Sequence, residues 1–185
     1  CWAAMLSLLG LVSLGIMLIM DMEQGFLMDH FALVISHFIL AVFGFMSLLA
    51  MGFSYILIPM FSLSPGPSEK LGQFSIACNF VAIILTLAGV NNNIIWLSFG
   101  GGLIALVGVG LYLYAMFGVY KKRMKKRLGT PFLLIRVAWI ILPLTVIWSL
   151  VGMGGWPETG HTLFAFLTIV GWLLTFLTGI LQRIL

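Results

Sequence analysis

Apolar residues fill this chain in blocks of about twenty or more with scarcely a charge inside them, and that feature constrains the fold more than any motif. A block of this length, coiled as an α-helix, matches the hydrocarbon thickness of a bilayer. No water is available there to satisfy backbone N–H and C=O groups, so helices that bond internally are the default. The composition places the whole chain in the same class. It is 62% hydrophobic and 8% charged, with a mean hydropathy of +1.20, far outside the range of a soluble domain.

Six runs satisfy this criterion, at 2–20, 31–61, 74–90, 94–120, 131–153 and 162–185. The expected fold is therefore all-α, a polytopic transmembrane bundle of about six spans forming one domain over 1–185. The second and fourth runs exceed what a bilayer needs and must tilt, bend or project into water. Ser64-Pro65-Gly66-Pro67-Ser68 is a turn by composition, and Asn91-Asn92-Asn93 makes a tight connection. Pro59 marks the end of the second span, and Pro143 sits mid-span in the fifth, where it kinks a helix. Cys1 stands where an initiator Met belongs and Leu185 falls within a span-like run, so the expectation is a piece of a longer protein.

Charge then sets orientation. Six of the nine cations lie in Lys121-Lys122-Arg123 and Lys125-Lys126-Arg127, beside a span. Such a cluster reads as a cytoplasmic anchor in contact with anionic lipid, not as a nucleic-acid surface, for which no aromatic interleaving is present. Alternation of the spans then puts Lys70, Arg136 and Arg183 on the cytoplasmic side too, and Asp21, Glu23, Asp29 and Glu158 outside. Both visible termini are expected in the cytoplasm. The basic cluster with its flanking spans places the chain in a membrane crossed many times.

Polar residues inside hydrocarbon are costly and therefore informative. His37 lies about 12 Å below Asp29 along a helix, and about 10.5 Å from His30, seven residues away on the same face. Below His37, at α-helical spacing, come Ala41, Gly44, Leu48, Met51, Gly52 and Tyr55. An imidazole above small residues is what a helix needs to lie against a flat macrocycle, with the ring as axial ligand. His37 is thus the candidate metal ligand of a haem b, and His161, His30 or a histidine of another chain is the candidate second ligand. His161 opens the sixth span, above Ala165, Thr168, Trp172, Thr175, Gly179 and Gln182. A packing histidine, an interfacial histidine and a loop-closing histidine are the plainer readings of the same three residues. Glycines in the second and fourth spans, including Gly100-Gly101-Gly102, Gly108 and Gly110, read first as close helix packing.

No phosphate loop, nucleophile elbow, H-E-x-x-H or Cys-x-x-Cys is present, and four of the five carboxylates fall at the outer surface. Soluble-type hydrolysis or group transfer is not expected on that ground. Two stretches carry a family resemblance. The run from His37 through Gly44-Phe45 and Ser54-Tyr55 to Pro59-Met60-Phe61 resembles the histidine-led helix of bacterial membrane proteins distantly related to haem–copper oxidase subunit I. Gly171-Trp172-Leu173-Leu174, with Gly179 and Gln182-Arg183-Ile184-Leu185, resembles a second segment of that group. The resemblance implies a respiratory electron-transfer subunit in the bacterial inner membrane. It would hold haem b near the outer side and exchange electrons with a quinol or a periplasmic carrier, beside other membrane subunits. If it takes part in catalysis, it belongs to an oxidoreductase; the adjacent histidine pair of a haem–copper centre is absent. Two alternatives stand beside this reading, a non-catalytic structural or assembly subunit and a small transporter or channel.

Overall fold

The computed structural model describes residues 2–25, 29–125, 129–153, 155 and 159–184, and these form six long apolar helices with no strand among them. We label them α1 (Trp2–Gln24), α2 (His30–Ser62), α3 (Glu69–Asn91), α4 (Ile95–Lys121), α5 (Thr130–Gly152) and α6 (Gly160–Ile184). Each is long and apolar enough to cross a membrane, and the chain is an all-α, multi-pass membrane protein. Several helices extend past the apolar runs that mark them. α3 starts at Glu69, five residues before Phe74, because its first turn is polar and carries a Gln73–Glu69 side-chain bond of 3.0 Å.

Local chemistry fixes the ends. Asp29 caps α2 by accepting the Ala32 N–H at 2.9 Å. Leu63 closes the other end of α2 in a left-handed conformation (φ 51°), so the helix runs past Pro59. Asn93 (φ 55°) turns the chain between α3 and α4, where the Ile94 N–H reaches back to the Gly89 carbonyl at 2.9 Å. Successive helices are antiparallel. Described carboxylates Asp21, Glu23 and Asp29 gather at one end of the bundle, and the described cations gather at the other with Glu69. We call these the acidic and basic ends.

Neither α2 nor α6 is regular. Each contains one widened stretch of π-helix, at Leu40–Ser47 and Leu167–Leu174. The two stretches meet: Trp172 Nε1 donates to Ser47 Oγ at 2.9 Å in a fully buried contact. Elsewhere helices approach through small residues, since apolar side chains gain nothing by leaving lipid for protein. Gly101 lies against Ala82 and Thr86 of α3, Gly108 against Asn79, and Gly179 of α6 against Ile135 and the Pro131 carbonyl of α5. The largest packed core lies toward the basic end, around Ile58, Tyr112, Met116, Ile135, Trp139 and Phe176. There Trp139 Nε1 donates to the Tyr112 hydroxyl at 3.1 Å, and the Tyr112 ring meets Tyr55 edge-on at 5.8 Å. α1 sits outside this core: 11% of its most apolar stretch is buried, against 39% in α2.

Candidate functional site

Toward the acidic end five helices, α2 to α6, do not close completely. They leave a cavity of about 430 Å³, within the range of small-molecule sites, about 300–1,000 Å³. The space exists because facing walls carry side chains of unequal size. Ala82 of α3, Gly102 and Ala105 of α4, and Ala165 of α6 contribute almost no volume. Phe38 and Phe43 of α2 pack on Phe164 of α6 at centroid distances of 6.0 and 6.1 Å, which holds the rings together as one wall. Along α3 the lining runs from Val90 to Asn79, about 16 Å at the rise of an α-helix. The cavity therefore reaches from the acidic end toward the middle of the bilayer.

Its polar groups are few and mostly committed. Thr86 Oγ1 donates to the Ala82 carbonyl at 2.8 Å, and Ser149 Oγ to the Val146 carbonyl at 2.7 Å. Asn79 Nδ2 donates to the Ser75 carbonyl at 2.9 Å, and Ser47 Oγ accepts from Trp172. Hydroxyls bonded to their own helix present a largely apolar wall. His161 lines the acidic end of the cavity, which we call its mouth, one residue into α6. The site can seat a long apolar body and offer a small hydrogen-bonding head a polar contact near the membrane surface.

The three histidines have different surroundings. His30 bonds Asp21 through Nδ1 at 2.6 Å, joining α1 to the start of α2. His37 points away from the cavity toward α1: a Cβ built at Gly15 would lie 3.3 Å from its Cε1, and its buried Nδ1 has no hydrogen-bond partner. His161 alone lines the cavity. The face that His37 shares with Gly44 is also occupied by α1, for Gly44 lies against Ser7 and a Cβ there would meet Ser7 Cβ at 2.8 Å. Further down, the π-helical stretch rotates α2, so the run from His37 to Tyr55 does not stay on one face. Met51 lines the cavity while Tyr55 packs on Tyr112 and Gly72. The residues present do not fit a haem clamped between two imidazoles of this chain: His37 and His161 open on different spaces, and α1 fills the first. No group of three or more His, Cys, Asp or Glu side chains converges among the described residues.

No family model, curated protein or solved structure matches the chain. The cavity itself was not foreseeable from the sequence. Its one advance signal was the small-residue stripe of α4, where Ala105 adds little volume to the lining and Gly102 lets Leu150 of α5 approach closely.

Proposed function

We propose that this chain is an oxidase-subunit-I-like, multi-pass subunit of a bacterial inner-membrane respiratory assembly, and that it binds a quinol-type amphiphile between α2 and α6. The cavity carries this reading. An isoprenoid-tailed quinol has an apolar body suited to the Phe38–Phe43–Phe164 wall and the small-residue wall opposite. Its head carries hydroxyl and carbonyl groups that His161 can meet at the mouth. In this reading the chain holds and orients the amphiphile through the cavity walls, beside the redox centres of partner subunits. The basic end faces the cytoplasm by the bias of cations toward that side, which puts the mouth of the cavity at the outer leaflet.

The test is quenching of tryptophan fluorescence by a short-tailed quinone added to the full chain in nanodiscs. Trp172 lies just beyond the cavity floor, bonded to the lining residue Ser47. Saturable quenching is expected, and Ala105→Trp, which fills the cavity, should abolish it while helix content is unchanged. His161→Ala should weaken binding by about tenfold, the worth of one hydrogen bond to the head group. Equal binding in Ala105→Trp, or none in the native chain, overturns the reading and leaves a structural subunit. A reducible Soret band that vanishes in His37→Ala would replace it with haem binding at α1 and α2.

A further inference from the structure

At the basic end two guanidinium groups converge on one aromatic ring. Arg123 lies with its guanidinium carbon 4.1 Å from the Tyr120 ring centroid, and that of Arg136 lies 5.6 Å from the same centroid. Tyr120 is in the last turn of α4, Arg123 just past the helix end, and Arg136 in the second turn of α5. The arrangement is tied in place. Arg123 Nη1 donates to the Tyr120 carbonyl at 2.9 Å, and the Lys125 N–H reaches the Ser62 carbonyl at the end of α2 at 3.4 Å.

Two like charges gathered on one ring favour an anion beside them. Among the described residues neither guanidinium has a carboxylate within ion-pair distance; the ion pair present, His30–Asp21, is at the opposite end. Arg123 Nε is buried and has no hydrogen-bond partner, an expensive state for a charged donor. Both side chains are planar forks that match phosphate oxygens in pairs, and the ring holds them without consuming those donors. Tyr120 and Arg136 also lie near helix ends, where aromatic and basic residues anchor a span at the head groups.

We propose that Arg123 and Arg136, set against Tyr120, form a binding site for a phosphate group at the head-group level of the basic end. A membrane phosphodiester and a soluble phosphate share this chemistry, and the experiment separates them. Native mass spectrometry of the full chain, released from detergent with added phosphatidylglycerol, should show a retained lipid adduct. The double variant Arg123→Gln/Arg136→Gln should weaken retention by about tenfold or more. The charge-matched control Lys121→Gln/Lys122→Gln should change it by less than about threefold, since Arg forks and not net charge make the site. Loss of the adduct on adding inorganic phosphate assigns the site to a soluble anion; persistence assigns it to the lipid. Equal weakening by both double variants, or no weakening by the arginine pair, overturns the proposal. Should the arginine pair fail to fold, Arg136→Gln alone and Tyr120→Leu decide the matter, because exposed Arg136 and the ring are each needed by the site. Both are expected to lower retention, and native retention in both overturns the proposal.

Discussion

At Gly101 the backbone of α4 lies so near α3 that an added Cβ would stand 2.8 Å from the Ala82 carbonyl oxygen and 2.9 Å from the Thr86 nitrogen. Both are backbone atoms and cannot swing aside. At Gly110, on the same helix, nothing lies within 4 Å. Gly101→Ala should therefore destabilise the bundle by about 1–3 kcal/mol through overpacking. Gly110→Ala should leave it unchanged, or raise stability by up to about 1 kcal/mol from helix propensity. Unfolding of the two variants in mixed micelles, followed by circular dichroism, checks this; equal effects would mean that close approach is not what Gly101 provides. The sequence marks both glycines alike. In a soluble helix the polar face would tell them apart, but lipid accepts the same side chains as a protein neighbour does, so the rotation of α4 is not written in its hydrophobic pattern.

At the level of helices, the irregular stretches account for what the sequence hides. Spacing of 3.6 residues correctly puts His37 and Gly44 on one face, yet the widened turn of Leu40–Ser47 sends Met51 and Tyr55 elsewhere. Nothing in the composition of Leu40–Ser47 distinguishes it from the α-helix on either side. The partner of the His37 face was equally hidden, because α1 is apolar all round and its docked side carries only small marks: Ser7, Gly10 and Gly15. That docking is testable. A Cβ at Gly44 would stand 2.8 Å from Ser7 Cβ, a small shift from the spacing of a disulfide, about 3.5–4.5 Å. With Cys1 and Cys78 replaced by Ala, Ser7→Cys/Gly44→Cys should cross-link rapidly on mild oxidation. Met5→Cys/Gly44→Cys should not, since Met5 is exposed. Mobility on a non-reducing gel reads the outcome, and equal rates for the two pairs would remove α1 from this face.

For the whole molecule, the number of helices and the separation of charge were legible because both are one-dimensional properties, carried by long apolar blocks and by the residues between them. The cavity was not, because it is made where five helices fail to fill a space, and that depends on how they are rotated and how far apart they sit. Charge separation also has a mechanical consequence. Lys70, Lys121, Lys122, Arg123, Lys125, Arg136 and Arg183 share one end, with Asp21, Glu23 and Asp29 at the other. Carrying a Lys or Arg through the bilayer centre costs about 2.5–3.5 kcal/mol each on insertion scales, so one orientation should dominate during synthesis. Asn92 and Ser68 are both exposed and lie at opposite ends, in the turns after α3 and before it. In a chain freed of Cys1 and Cys78, Asn92→Cys should react with a membrane-impermeant maleimide added to the periplasmic side of intact cells. Ser68→Cys should react only after lysis. The reverse pattern would put the cavity mouth in the cytoplasmic leaflet, and with it any amphiphile the bundle holds.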